Sequence, residues 1–305
     1  MAITAFKAVL TMLIYAIPGY LLVRTKLFGK ECISAFAVML TYVCQPCLVL
    51  YAFDGIEMTG QFVLNMVITF FGMLAIFGLM IGGTYLVLRK KQDIPKYRIA
   101  TISAGFGNVT FMGIPVLEML LPDCPEARVY STVAFIAMSA LCWTVGSAII
   151  THDKKYIKPS KILLNPGTIS FIVVILLTAF SVKLPDVVNS PLKLIGQMST
   201  PICMLVMGAR LAVTPRRIFA NVSAYISIAV KQLLMPLISF AILFYLPIDQ
   251  NLKTTMYVLC CMPVASNVLN FAELLGDGRE EAACTVLVGT FVSVATLPLM
   301  MLLKI

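Results

Sequence analysis

Two short stretches hold the residues whose types and spacing can do chemistry. The first is Gly105-Phe106-Gly107-Asn108-Val109-Thr110-Phe111-Met112-Gly113-Ile114-Pro115, and the second is Cys261-Met262-Pro263-Val264-Ala265-Ser266-Asn267-Val268-Leu269-Asn270. Each lies inside an apolar run long enough to cross a bilayer, and each carries residues that stop a helix. Pro115 and Pro263 have no N–H for the carbonyl four residues back, and Gly113 is a poor helix former. An unpaired backbone group facing lipid costs several kcal/mol, so such breaks must face protein or a water-filled cavity. A broken span leaves free N–H groups on one half-helix and free carbonyls on the other. The N-terminal end attracts an anion by about 0.3–1 kcal/mol, and by more when shielded from water. Asn108, Thr110, Ser266, Asn267 and Asn270 add neutral donors and acceptors, so a carboxylate is the chemistry to expect. A proline kink satisfied by Ser and Asn in a packed bundle is the plainer alternative. Two breaks at matching places in the chain favour a binding site.

Lys231, in Val230-Lys231-Gln232-Leu233, lies about eleven residues into an apolar stretch. Charges inside a membrane are costly and usually functional. Lys231 is therefore a candidate to pair with substrate, or to hold a proton's or a cation's place by switching charge. Gln45, beside Pro46, is a further polar candidate for the substrate site. Glu118 and Glu273 lie near span ends and serve as coupling candidates or as interfacial residues. Arg210, at the end of its span, reads as a snorkelling anchor. His152 is the single histidine, so no histidine pair for a metal exists. The motifs H-E-x-x-H, G-x-S-x-G and G-x-x-x-x-G-K-[ST] are missing from the sequence. Neither enzyme chemistry nor a resident cofactor is expected.

These residues need a frame that places them at membrane depth. Of 305 residues, 60% are hydrophobic and 12% charged, and the mean hydropathy is +0.96. Soluble domains average about 25% charged residues, so most apolar surface here must face lipid. A membrane-spanning helix takes about 20 apolar residues. Ten stretches qualify: 5–23, 32–53, 61–88, 99–121, 129–151, 164–183, 192–212, 220–246, 252–275 and 281–303. The fold class expected is an all-α polytopic membrane protein. With the N-terminus outside, sixteen Lys and Arg fall in inside loops and six in outside regions, Lys231 being the remaining one of 23. That bias follows the positive-inside rule and places both termini outside the cytoplasmic membrane. It also gives the net charge of +9 a topological reason, so no nucleic-acid partner is implied.

The ten stretches divide into residues 1–151, a short cytoplasmic connection at 152–166, and residues 167–305. Five spans is an odd number, so two similar halves in tandem must cross the bilayer in opposite senses. An offset of 155 residues sets Pro46 on Pro201 and Glu118 on Glu273, and it sets the fourth span on the ninth. The interruptions thus fall in corresponding spans. Eight of nine cysteines lie within apolar stretches, which points to small packing residues and not to a disulfide framework. Cys44-Gln45-Pro46-Cys47 fits C-x-x-C but lacks the soluble βαβ setting of a redox motif. The first residues lack a basic cluster and a small-residue cleavage site, so a retained first span is expected.

The run from Gly107 to Pro115 resembles the auxin efflux carrier family. So do Asn165-Pro166, Pro201 through Met207-Gly208-Ala209, and Lys231 with Pro236 after it. The resemblance implies ten helices in two inverted repeats with helices four and nine broken and crossing. It implies scaffold helices 1, 2, 6 and 7, a mobile transport group of helices 3–5 and 8–10, and an elevator-like movement of an organic anion. A homodimer through the scaffold is also implied. Asn108 and Pro115 would lie beside the first crossing and Pro263 at the second. Bacterial members of that kind are associated with malate, malonate and similar dicarboxylates. Plant members place an acid in the third span; Met58 to Leu88 holds none here, so a proton site there is not supplied.

The expected function is secondary active transport of a small organic carboxylate across the cytoplasmic membrane, with the lipid bilayer as its other partner. H+ or Na+ is the candidate coupling ion. A sodium-coupled carrier of bile-acid type with the same ten-span plan, and a membrane ligand sensor without flux, remain the alternatives.

Overall fold

The computed structural model describes residues 1–151, 164–180, 182, 184–275, 278–303 and 305, with the side chains at 30, 270, 271 and 273–275 outside that set. The expectations on Asn270 and Glu273 as side chains, on His152 and on most of the 152–166 connection therefore fall outside the described residues.

The described chain is helical. In order it forms α1 (Ala2–Arg24), α2 (Lys30–Met39), α3 (Gln45–Ala52), α4 (Gly60–Leu88), α5 (Pro95–Ser103), α6 (Gly113–Leu120), α7 (Glu126–Leu141) and α8 (Ser147–Thr151). It continues as α9 (Pro166–Ala179), α10 (Asp186–Gln197), α11 (Ser199–Val213), α12 (Val222–Ala229) and α13 (Met235–Tyr245). The last are α14 (Gln250–Cys260), α15 (Ser266–Leu275) and α16 (Arg279–Met300). No strand occurs among the described residues; one isolated antiparallel bridge joins Gly107 to Val264.

Side chains cap the starts of α4, α9 and α14. Thr59 accepts from the Phe62 N–H at 3.1 Å. Asn165 accepts from the Gly167 N–H at 2.9 Å, with Pro166 at the first helical position. Asp249 accepts from Asn251 and Leu252 at 2.8 and 3.1 Å. Wide π turns at Leu40–Cys44 and Val230–Leu234 join α2 to α3 and α12 to α13. Each lies just ahead of a proline, Pro46 or Pro236, whose missing N–H loosens the preceding ladder.

Among the described residues seven continuous helical segments are long and apolar enough to cross a membrane: Ala2–Arg24, Glu31–Ala52, Gly60–Lys91, Glu126–Thr151, Asp186–Val213, Val222–Tyr245 and Arg279–Met300. Pro166–Ala179 is apolar but shorter, at 14 residues. The two remaining apolar stretches are the interrupted pairs α5/α6 and α14/α15. The seventh stretch begins at Asp186, six residues before the hydropathy places it, because α10 carries polar residues that apolar counting excludes.

Small residues allow the closest helix contact. α1 packs on α11, presenting Ala5, Ala8, Met12, Ala16 and Gly19 as a buried stripe. A Cβ on Gly208 would stand 1.9 Å from the Ala16 carbonyl oxygen, and one on Gly19 would stand 1.9 Å from that of Leu205. Only glycine permits this approach, the usual route to helix association in lipid. The opposite face of α1 exposes Ile3, Phe6, Leu10, Ile14, Ile17 and Leu21, as a lipid-facing helix must. Elsewhere α3 packs on α9 and α10, α4 on α7, α7 on α14, and α12 on α16.

Candidate functional site

The two interruptions meet each other. The backbone N–H of Asn108 donates to the carbonyl of Pro263 at 2.8 Å, and the N–H of Ala265 donates to the carbonyl of Phe106 at 3.1 Å. Gly107 and Val264 form the antiparallel bridge between them. Backbone groups released by one broken helix are thus paired with those released by the other, which removes the cost of leaving them open at membrane depth.

The start of α6 departs from the expectation of free N–H groups. Gly113 and Ile114 donate to the carbonyls of Asn108 and Thr110, both at 3.1 Å. Pro115 is the third residue of α6, within the first turn, where its missing N–H costs little. Pro115 therefore helps to begin a helix, and the interruption lies ahead of it. Gly113 opens α6 close against Leu259 of α14. Side chains hold the intervening loop: Ser131 donates to the Val109 carbonyl at 2.6 Å, and Thr200 to the Phe111 carbonyl at 2.7 Å.

Asn108 and Thr110 are buried. The Asn108 side-chain Nδ2 has no hydrogen-bond partner among the described residues, a costly state for a buried donor unless a ligand or water takes it. Ser266 and Asn267 open α15 and line a cavity of about 30 Å³ with Phe111, Cys203, Arg210 and Leu269. The Cys203 thiol faces both Ser266 and Asn108, so the crossing lies directly against α11. A second recess of about 490 Å³ is lined by Arg210, Pro215, Leu269, Arg279 and Glu280. Arg210 and Leu269 line both spaces. The small cavity has room for roughly one or two waters; the larger one has the volume of a small-molecule site.

The other expected residues lie at different distances from this centre. Lys231 is fully buried in the π turn between α12 and α13, and it is not a lining residue of the cavity beside Ser266 and Asn267. Gln45 is buried at the start of α3, facing Gly167 of α9, and its Nε2 has no partner among the described residues. Glu118 accepts from the Tyr51 hydroxyl at 3.1 Å and lies 3.9 Å from Arg128. Gln197 donates to the same hydroxyl at 3.4 Å, and the Arg128 guanidinium stacks 4.8 Å from the Tyr51 ring centre. Arg128 also donates to the Asp54 carbonyl at 3.1 Å. This cluster ties α3 and α10 to α6 and α7.

Sequence reasoning missed Arg210, Cys203 and Thr200 as neighbours of the crossing. Thr200 is adjacent to Pro201, the match of Pro46 at the 155-residue offset, and that was the available signal. All nine cysteines are free thiols, eight of them buried, as packing residues would be. Among the described residues no group of three or more His, Cys, Asp or Glu side chains is placed to hold a metal ion.

Two similarities to known proteins join this geometry. A family model described as membrane transport protein matches residues 4–162 and 157–301. A protein of Rhizobium meliloti (strain 1021) named "Putative malonate transporter" is 24% identical over 243 residues, spanning 71% of this chain and 72% of the relative.

Proposed function

Because this chain belongs to the membrane transport protein family, that of the auxin efflux carriers, we propose that it is a secondary transporter of small organic carboxylates. It is a multi-pass membrane protein. In this reading the seven long segments, the shorter α9 and the two interrupted pairs make ten spans in two inverted halves, with both termini outside. The observation that carries the proposal is the crossing. Two helices that stop at membrane depth join through Asn108 and Pro263, and the start of α15 faces a small, largely apolar cavity to which Arg210, Ser266 and Asn267 bring polar groups.

The carboxylate binds at that start. Ser266 and Asn267 donate, the half-helix dipole attracts the charge, and the unpartnered Asn108 amide supplies a further donor. Arg210 guides the anion from the larger recess to the crossing. The 30 Å³ cavity must widen for this, which is the work of a moving bundle. α4 to α8 and α12 to α16 form the moving group. α1 to α3 and α9 to α11 form the scaffold on which it slides. The Tyr51–Glu118–Arg128 cluster closes the outer side, and the Arg210 recess opens to the cytoplasm. Alternating access follows from rigid motion of one group past the other. The malonate of the relative's name is the first anion to try. Saturable uptake of labelled malonate into proteoliposomes, competed by other small carboxylates, is expected; no uptake of any small carboxylate would overturn the proposal.

A further inference from the structure

Lys231 is the one fully buried lysine among the described residues. Its Nζ donates to the carbonyl of Cys260 at 3.1 Å and lies 3.0 Å from the Met235 sulfur. Cys260 is the last residue of α14, at the interruption itself. The carbonyls of Tyr257, Val258 and Leu259 in that last turn are taken by the N–H groups of Cys261 and Met262. The Cys260 carbonyl is taken by Lys231. The same ammonium presses on the other interrupted segment: a Cβ on Gly107 would stand 3.0 Å from Nζ. One side chain thus touches both halves of the crossing, from behind, without lining the cavity.

The electrostatics make this placement costly unless it is used. A buried ion costs several kcal/mol after relaxation, and a hydrophobic residue of similar length would avoid it. Among the described residues no carboxylate pairs with Lys231; the titratable side chains facing it are the thiols of Cys260 and Cys261. What stabilises the charge is the C-terminal end of α14, with its negative half-dipole and freed carbonyl. That is the environment a bound monovalent cation would seek.

We propose that Lys231 is a tethered cation, a positioning residue that fills a cation site built by the ends of the crossing, so that carboxylate transport proceeds without sodium. The proposal rests on the transport reading above. Lys231 acts through the backbone at Cys260 and Gly107, and holds the geometry in which the start of α15 faces substrate.

The test compares wild type with K231M and K231A. Wild-type malonate uptake should be equal in sodium and in choline buffers. K231M should lose about tenfold or more in initial rate, the effect of leaving a buried acceptor unpaired. K231A should melt below wild type in detergent, and millimolar ethylammonium, which can enter the vacated space, should raise its melting temperature while leaving those of wild type and K231M unchanged. A merely packing role predicts no such amine effect. Sodium-dependent wild-type uptake would overturn the proposal. So would K231M with wild-type stability and rate, or K231A indifferent to ethylammonium. The sodium comparison uses wild type alone and so decides even where K231A does not fold. Failure of wild type to move malonate, together with amine rescue of K231A, would instead remove the carboxylate reading and leave the tethered cation standing.

Discussion

The N–H of Asn108 reaches the carbonyl of Pro263 across 2.8 Å, and the two positions are separated by the offset that relates the halves of the sequence. A second bond has the same property: Ser199 Oγ donates to the Cys44 carbonyl at 3.1 Å, again 155 residues apart. Equivalent positions touch one another only where they lie on a two-fold axis. Two such contacts, one at the crossing and one at the Pro46 and Pro201 turns, support inverted halves sharing an axis through both. In the proposed inverted arrangement such an axis passes close to Asn108, whose neighbour Cys203 lines the cavity of Ser266 and Asn267.

Topology gives the first prediction. Epitopes added at either terminus should be reached by antibody on intact spheroplasts, and one inserted at Lys155 only after permeabilisation. The asymmetry of Lys and Arg motivates this. Termini on the cytoplasmic side would invert the proposed direction of the Arg210 recess.

The α1–α11 contact gives the second. Gly208→Val places methyl groups where a backbone carbonyl already stands 1.9 Å from a Cβ. Overpacking a tight core costs about 1–3 kcal/mol even where side chains can yield, and backbone yields less. The variant should melt well below wild type in detergent, whereas Gly78→Ala, with open space at its Cβ, should melt with wild type. Equal melting for Gly208→Val would show that α1 and α11 are not held this closely.

The third concerns the outer cluster. Tyr51→Phe removes the hydroxyl that links Glu118 and Gln197. If that link holds the outer side shut, losing about 1 kcal/mol shifts the balance roughly fivefold toward the outward-open state. The KM for malonate offered from outside should then fall in right-side-out vesicles, and the KM from inside should rise. An unchanged pair of KM values would mean that the cluster does not govern access.

Much of this arrangement was legible in the residues, for a physical reason. Lipid requires long apolar helices, so hydropathy marks them; proline and glycine cannot continue a helix, so Pro263 and the Gly107–Gly113 run mark its breaks. The pairing of the breaks was not legible, because it is made by backbone groups of residues far apart, and side-chain identity carries no signal for it. Pro115 looked like a breaker and is a starter, since a proline's cost depends on its place in the first turn. Arg210 looked like an interfacial anchor because its position along α11 is near the end; that it also borders the crossing depends on the angle at which α15 meets α11. Lys231 was recognised as unusual for its charge alone, but which side of the crossing it occupies is set by the π turn ahead of Pro236.

The central claim is that a carboxylate binds at the crossing and is carried. Counterflow in proteoliposomes tests it most directly: vesicles loaded with unlabelled malonate take up external labelled malonate transiently above equilibrium if a carrier exchanges it. Wild type should show that overshoot. Asn108→Ala combined with Asn267→Ala should lose it while keeping its fold, because two donors worth about 0.5–1.5 kcal/mol each, and more toward a charged group, are removed from the site. Saturable binding without overshoot in wild type, or a full overshoot in the double variant, would contradict the account.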